Sequence, residues 1–164
     1  MNPFHIRAAT EADLAAINDI YNYYVGTSTC TYQTEPSTDE ERRSWFAAHG
    51  PEHPVIVAEL DGEVVGWGSL SKFHSRAAFR RTVEDSVYIR HDRQRRGLGG
   101  ALLAELLVRG RAVGHHSIIA AIDADQAGSV VLHAQHGFTP AGRLREVGNK
   151  FGRWLDLVYL ERLL

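Results

Sequence analysis

The spacing of hydrophobic positions predicts two helices in the first third of the chain. Apolar side chains recur every three to four residues between Leu14 and Tyr24, which predicts a first helix over 11–25. Thr38 and Glu41 form a Thr-x-x-Glu capping box, and such a pair typically starts a helix. We therefore expect a second helix directly after Thr38.

Strand patterns alternate with further helical patterns through the rest of the chain. Strands are predicted at residues 4–9, 54–60, 63–70, 83–89 and 117–122, from 138 onward, and at 154–160. Asp61-Gly62 is a hairpin turn signal between two of these strands. A leucine-rich helix follows residues 93–100, and a short helix over 129–136 ends before Gly137. This order predicts an α/β protein with a mixed sheet.

The predicted strand at 83–89 has an unusual distribution of polar residues. Its apolar face also carries Asp85, whereas Glu84, Ser86 and Tyr88 share the opposite face because side chains alternate along a strand. A polar and aromatic face on a central strand is unusual for a purely structural element. We therefore consider this face a candidate for chemistry.

Length and composition exclude several classes of protein. The chain of 164 residues predicts one domain spanning 1–164, and its apolar content is ordinary for a globular protein. Lys and Arg number 18 against 20 Asp and Glu, which argues against nucleic acid as the main partner. A single cysteine excludes an internal disulfide, and no His pair has convincing ligand spacing, so no metal is predicted. No apolar run approaches the ~20 residues of a membrane span, and Met1–Arg7 lacks a signal pattern, so we expect a soluble cytoplasmic protein without a membrane partner.

A glycine-rich loop between strand 83–89 and the leucine-rich helix is the first strong chemical signal. It contains Gln94-x-x-Gly97-x-Gly99, and four arginines lie in the same stretch: Arg90, Arg93, Arg95 and Arg96. Free N–H groups and the helix dipole at such a helix start favour an anion, so the loop predicts a pyrophosphate cradle. The loop does not match a P-loop, because that motif requires a Lys and a Ser or Thr that are missing here. It also does not favour a dinucleotide-binding fingerprint, because that motif follows the first strand of its domain and this loop lies in mid-chain. A glycine-rich helix start with solvated arginines remains the alternative.

Several stretches together carry a family resemblance. Besides Gln94, Gly97 and Gly99 they are Ile20-Tyr21-Asn22, residues 40–46, Thr82-Val83-Glu84-Asp85-Ser86-Val87-Tyr88-Ile89, Ile122-Asp123-Ala124-Asp125, Leu132-His133, Gly137-Phe138, residues 144–148, and Lys150-Phe151-Gly152-Arg153-Trp154-Leu155-Asp156-Leu157. On these residues, from about Ile6 to the end, the chain resembles the GNAT N-acetyltransferases. Within that family it is most similar to the phosphinothricin and methionine sulfone or sulfoximine acetyltransferases.

The resemblance implies a fold and a co-substrate. It implies the GNAT fold: a mixed, mostly antiparallel central sheet flanked by helices and splayed at the acetyl-CoA site. It implies acetyl-CoA as co-substrate, bound through Val87, Tyr88, Ile89, Gln94, Arg95, Arg96, Gly97, Leu98, Gly99, Gly100, Gln126 and Ser129. Backbone groups of Val87 and Ile89 would bind the pantetheine arm. Gln126 departs from the Asn common in the family, whereas Ser129 fits the pattern.

Two residues are candidates for proton transfer. In the family branch the glutamate of the Thr-Val-Glu motif is the base, which implies that role for Glu84. The alternative is an exposed strand carboxylate or an ion pair with Arg80 or Arg81. His133 stands where much of the broader family has a tyrosine acid, and imidazole can act near neutral pH. Its alternative is a histidine that only caps or packs.

A stretch of cations and aromatics before the candidate strand suggests the substrate pocket. The resemblance implies substrate contacts from Tyr32, Phe73, His74, Arg76, Phe79, Asn149 and Lys150. Arginine suits the bidentate binding of a carboxylate, phosphinate or sulfone, which favours Arg76, although a solvated loop is the alternative. We expect Trp154 on a core strand and Cys30 as a small buried or half-buried side chain rather than a nucleophile.

The sequence therefore predicts an acetyl-CoA-dependent N-acetyltransferase for the α-amine of a small amino-acid-like compound. Phosphinothricin, methionine sulfoximine and methionine sulfone are the first candidates, and a homodimer is expected from the resemblance. Acetylation of another small amine or of a protein N-terminus is an alternative. A non-catalytic acyl-CoA sensor is another, although the presence of both Glu84 and His133 argues against it.

Overall fold

Seven strands form one sheet in the computed structural model, which describes residues 4–164. The first three residues of the segment tested for a signal pattern lie outside the described residues. The strands are β1 (His5–Ala8), β2 (Val55–Leu60), β3 (Glu63–Lys72), β4 (Thr82–Ile89), β5 (Ser117–Asp123), β6 (Thr139–Lys150) and β7 (Arg153–Leu163). Their order is β1-β2-β3-β4-β5-β7-β6, and every neighbouring pair is antiparallel except β4 and β5. The expected mixed, mostly antiparallel sheet is confirmed.

Within residues 4–164, four α-helices cover the sheet, one at each place where the sequence predicts a helix. They are α1 (Leu14–Thr27), α2 (Asp39–His49), α3 (Leu98–Ala112) and α4 (Ala127–Gln135). At the start of α2, the Thr38 hydroxyl accepts from the Glu41 amide at 3.2 Å, and the Glu41 carboxylate accepts from the Thr38 amide at 2.8 Å. A single 3-10 turn precedes α1. The fourth helix begins two residues earlier than its pattern predicts.

The two faces of the sheet bury separate cores. On one face, α3 and α4 pack over apolar side chains that include Ile56, Leu70 and Ile118. On the other face, α1 and α2 pack over a smaller cluster that includes Val57 and Trp67. Because strand residues alternate between faces, Glu84 and Tyr88 face the α1–α2 side and Asp85 faces the α3–α4 side.

The sheet opens between its two parallel strands. Strands β4 and β5 pair only from Thr82 to Glu84 against Ser117 to Ile119. Beyond that point β4 pairs with β3 alone and β5 with β7 alone within the described chain. The edge of β4 from Asp85 to Ile89 therefore lacks a neighbouring strand on one side. This opening is the splay that the resemblance implied, and α3 begins at its mouth.

The hairpin of β6 and β7 departs from the expected core packing. Trp154 was expected on a core strand, but 65% of its surface is exposed, so that prediction is wrong. The residue pairs with Asn149 near the hairpin turn, and the hairpin is irregular between Leu144 and Gly148. Among residues 4–164, no helix combines the length and apolar character needed to cross a membrane.

Candidate active site

A cavity of about 1090 Å³ lies where β4 and β5 diverge. It continues toward α1, α2 and the segment that joins them. Most of the predicted site residues line it: Tyr32, Glu84, Val87, Tyr88, Ile89, Gln94, Arg95, Gly97, Leu98, Gly99, Gly100, Gln126, Ser129 and His133. The structure thus brings both candidates for proton transfer together with the glycine-rich loop.

Other predicted residues lie outside the cavity lining: Arg96, Phe73, His74, Arg76, Phe79, Asn149 and Lys150. The aromatic and basic stretch forms its own surface cluster, in which the Phe79 ring centre lies 5.9 Å from Phe73 and 4.9 Å from His74. Arg76 is exposed, and its backbone amide donates to the His74 ring. This arrangement corresponds to the solvated-loop alternative more closely than to a pocket wall.

The start of α3 offers the expected anion site. Gly97 occupies the helix N-cap with φ of 77°, a left-handed conformation that strongly favours glycine, and Arg95 also lies in the left-handed region. The first amides of an α-helix have no acceptor within the helix, so those of Leu98 and Gly99 are free to bind an anion. The residues present therefore fit a diphosphate group, with Arg95 as the cation that lines the cavity.

Other polar groups of this loop are engaged within the protein. The Gln94 amide donates to the Tyr24 hydroxyl at 2.6 Å, and that hydroxyl donates to the Ile89 carbonyl oxygen at 2.6 Å. Arg90 forms ion pairs with Asp92 and Glu63. Tyr24 and Gln94 therefore connect the end of β4 to the loop, while Arg90 is committed to carboxylates.

Glu84, the predicted base, belongs to the lining of the cavity. Its half-buried carboxyl lines the cavity, and within residues 4–164 it has no ion pair with Arg80 or Arg81. Burial and, to a lesser extent, the neighbouring charge of Asp85 raise the pKa of Glu84. A carboxyl with a raised pKa is a stronger base once ionised, which suits proton abstraction near neutral pH.

His133 forms a buried pair with Asp85 beside the cavity. The Nε2 atom of His133 lies 2.9 Å from Oδ2 of Asp85, and Nδ1 lies 2.7 Å from the Ser129 carbonyl oxygen. A carbonyl oxygen can only accept, so Nδ1 carries a proton. Burial by itself lowers the pKa of His133, but the hydrogen bond and charge of Asp85 outweigh burial and raise it. Both ring nitrogens are therefore occupied by protein groups.

The C-terminal hairpin holds the segment between α1 and α2 in place. The buried Lys150 ammonium donates to the carbonyl oxygens of Ser28 and Thr31 at 2.7 and 2.8 Å. The Tyr32 hydroxyl donates to the Asp156 carbonyl oxygen at 2.8 Å, and burial followed by the charge of Asp123 raises the pKa of Tyr32 to about 12. A side chain on Gly148 would meet the Tyr32 ring at 2.8 Å. Lys150 thus supports a wall of the cavity without lining it.

A polar network closes the cavity at the end of β5. The Thr29 hydroxyl donates to the buried Asp123 carboxylate and accepts from the Gln126 amide at 3.2 Å. The Gln126 side chain is therefore engaged by Thr29, although the residue lines the cavity at the start of α4. Cys30, half-buried as expected, lies in the same wall, and burial raises the pKa of its thiol.

Sequence reasoning missed many of the residues that line the cavity, and Tyr24, Arg42 and Asp85 are the ones with the clearest polar or charged contacts. Asp85 carried a signal, because a carboxylate on an otherwise apolar strand face needs a buried partner. Arg42 also carried one, since it precedes Trp45 and His49 by three and seven residues, the spacing of a buried helix face. No local pattern marks Tyr24, which has the spacing of an ordinary core residue.

Comparisons with known proteins agree with this geometry. Residues 6–159 match the family model for an acetyltransferase (GNAT) domain. The chain is 42% identical over 158 residues to the L-methionine sulfoximine/L-methionine sulfone acetyltransferase of Pseudomonas paraeruginosa, covering 95% of this chain and 92% of that one. It is 40% identical over 160 residues to the phosphinothricin N-acetyltransferase of Streptomyces viridochromogenes, covering 98% and 87%. The crystal structure of a GNAT superfamily phosphinothricin acetyltransferase from Sinorhizobium meliloti, in complex with acetyl-CoA, superimposes with a TM-score of 0.96 at 36% identity, covering 99% and 89%.

Proposed function

Because the chain belongs to the GNAT family and is an N-acetyltransferase, we propose that it acetylates the α-amine of a small amino-acid-like substrate. Phosphinothricin, methionine sulfoximine and methionine sulfone are the first candidates. The observation that carries the proposal is the half-buried, unpaired Glu84 in the cavity between the diverging strands. The activities for which the two curated relatives are named support the same substrate class.

The residues of the cavity divide into two working ends. Acetyl-CoA supplies the acetyl group as a thioester. At one end, Arg95 and the first amides of α3 hold the diphosphate, and the free edge of β4 at Val87 and Ile89 offers backbone groups to the pantetheine arm. At the other end, the Glu84 carboxylate accepts the proton of the substrate ammonium, directly or through a water. The free amine then attacks the thioester carbonyl carbon and the carbon–sulfur bond breaks. The remaining extra proton on nitrogen passes, directly or through water, to the leaving thiolate, so that the products are the amide and the free thiol.

For His133 we propose a positioning role instead of proton transfer. The prediction that it donates a proton to the leaving thiolate stays a prediction. Such a transfer from Nε2 breaks the hydrogen bond to Asp85, and a transfer from Nδ1 breaks the one to Ser129. We propose that His133 mainly positions α4 against β4, so that the opening between β4 and β5 keeps its width.

We propose a homodimer built through the β6–β7 hairpin. This hairpin exposes five large apolar side chains, namely Leu144, Val147, Phe151, Trp154 and Leu163. Clusters of exposed apolar residues of this kind typically mark an interaction surface. We also propose a cytoplasmic location, because acetyl-CoA is supplied inside the cell.

The test is thiol release from acetyl-CoA at about pH 8, where the free amine and ionised Glu84 are favoured. The acceptor panel contains phosphinothricin, methionine sulfone, plain amino acids and polyamines. We expect saturable turnover with one of the first two and a loss of nearly all turnover in Glu84→Gln, which keeps its affinity for CoA. Glu161→Gln, an exposed carboxylate on β7, is the matched control. Absence of turnover across the panel with intact CoA binding would refute the proposed substrate class.

A further inference from the structure

We propose that Arg42 binds an oxygen-rich group of the acetyl acceptor, either its α-carboxylate or the sulfone or phosphinate of its side chain. This inference rests on the proposed function and assigns the acceptor end of the same cavity. The sequence had suggested Arg76 for this task. Arg76 lies on the surface, whereas Arg42 lines the cavity from α2.

Arg42 is a buried cation without an anionic partner. The residue is 5% exposed, and its Nε donates to Oδ1 of Asn18 at 3.1 Å. Across the described chain, no carboxylate lies within ion-pair distance of its guanidinium, and its two terminal nitrogens have no hydrogen-bond partner. A buried charge is normally paired, because its removal from water is costly.

Aromatic rings hold the guanidinium in place. Its Cζ atom lies 4.8 Å from the ring centre of Tyr21, 4.7 Å from Trp45 and 5.7 Å from Trp67. Cation–π attraction compensates part of the desolvation and keeps the planar group in a fixed orientation. It leaves the donors of the terminal nitrogens unused. The three aromatic rings therefore hold the guanidinium in place without neutralising its charge.

A second group nearby also lacks an acceptor. The indole Nε1–H of Trp67, which is 2% exposed, has no hydrogen-bond partner, and neither has the buried Ser69 hydroxyl. Ser69 shares the strand face of Trp67 but lies behind it, because Trp67 lines the cavity and Ser69 does not. An indole N–H can only donate, so the region around Arg42 offers an excess of donors. Such a set favours a ligand that brings several acceptor oxygens.

The charge distribution of the cavity favours the substrate as the source of those oxygens. Of the lysines and arginines in the described chain, Arg42 and Arg95 line the cavity. Arg95 belongs to the glycine-rich loop at the diphosphate end, and Arg42 belongs to the helix on the Glu84 face. The guanidinium fork suits bidentate binding of a carboxylate, sulfone or phosphinate. All the proposed substrates carry such groups in addition to the amine.

Steady-state kinetics of Arg42→Met with saturating acetyl-CoA test the inference. The acceptors are methionine sulfone, its decarboxylated amine analogue, and methionine, which lacks the sulfone oxygens. We expect the KM for methionine sulfone to rise about 10- to 100-fold with kcat changed less, because a hydrogen bond to a charged group is lost. The increase should shrink for the acceptor that lacks the group bound by Arg42, which identifies that group. Arg43→Met, at the exposed neighbouring position, should leave KM unchanged.

An unchanged KM in Arg42→Met, or the same proportional increase for all three acceptors, would overturn the inference. If Arg42→Met does not fold, Arg42→Lys takes its place, because it keeps the charge but loses the fork. The same selective increase is then expected, and equal increases again count against the subsite. If the wild-type protein acetylates none of the acceptors, the proposed function fails. Calorimetric binding of methionine sulfone to the CoA-loaded wild type and variant then decides the role of Arg42 separately.

Discussion

The buried pair of Asp85 and His133 makes a prediction about stability and pH. The perturbation is Asp85→Asn, which keeps the shape of the side chain and removes its charge. The exposed fractions of the two side chains are 6% for His133 and 2% for Asp85, so solvent screens their interaction weakly. In the variant, His133 is expected to lose its Nε2 proton and to accept a weaker hydrogen bond from the Asn amide.

The magnitude follows from the geometry of the pair. At 2.9 Å and an effective dielectric constant of about 20, the attraction between the two charges is about 6 kcal/mol. Desolvation of both groups offsets much of this attraction. Since the variant retains a neutral hydrogen bond, we expect the free energy of unfolding to fall by about 1–3 kcal/mol at pH 6.

The effect depends on pH with a definite sign. The pKa of His133 is raised in the fold, so the stabilisation by the pair is fully present below the unfolded pKa of about 6.5. It is lost as the pH rises through the raised folded value. The wild type should therefore exceed Asp85→Asn in stability by more at pH 6 than at pH 9.

Urea unfolding at pH 6, 7.5 and 9 measures this difference. Asp125→Asn is the matched control, because its side chain is 69% exposed and makes one long contact of 3.8 Å with Arg153. A stability difference between the wild type and Asp85→Asn that is the same at all three pH values would refute the reasoning. In that case the protonation of His133 would not be coupled to Asp85 between pH 6 and pH 9.

Three further predictions concern the base, the anion site and the hairpin. Glu84→Gln should lower kcat by about 10²–10⁴-fold. The fold raises the pKa of Glu84, so the ionised carboxylate destabilises the folded state at pH 8. Glu84→Gln should therefore increase the free energy of unfolding at pH 8, by about 1.4 kcal/mol for each pH unit by which the pKa is raised. Equal urea midpoints for the variant and the wild type would contradict this destabilisation by the buried charge. Gly97→Ala should weaken CoA binding and destabilise the protein by about 1 kcal/mol, because φ is 77°. Calorimetry and thermal unfolding measure both effects, and Gly26→Ala, an exposed position outside the cavity with open space around it and an ordinary φ, is the control. Trp154→Ser should shift the protein toward a monomer in light scattering without changing its circular dichroism; a monomeric wild type would rule out the dimer.

The sequence predicted those features that depend on neighbouring residues. The capping box of Thr38 and Glu41, the Asp61-Gly62 turn and the alternation along β4 were identified because their causes lie within a few positions. The glycine-rich loop was identified for the same reason, and Gly97 does occupy a left-handed position.

Features that depend on distant contacts were not predictable in this way. The resemblance implied a substrate contact for Lys150, but the ammonium binds two backbone carbonyls more than a hundred residues earlier in the chain. Trp154 has a large apolar side chain typical of a core residue, yet its position near the hairpin turn leaves it exposed to solvent. The sequence could not indicate that Arg42 has no anionic partner, because only the folded structure shows that no carboxylate lies near its guanidinium.

The anchoring of the α1–α2 segment by Lys150 has a consequence for synthesis on the ribosome. Lys150 is 119 residues from Thr31, and Tyr32 is 124 residues from Asp156. Strand β7, made last, also lies between β5 and β6 in the sheet. An emerging chain can therefore form the glycine-rich loop and α3 well before the α1–α2 segment gains its contacts with Lys150 and Asp156. The nascent protein should be able to hold CoA earlier than it can select an amine, and its specificity should depend on the β6–β7 hairpin, which is translated after the loop and α3.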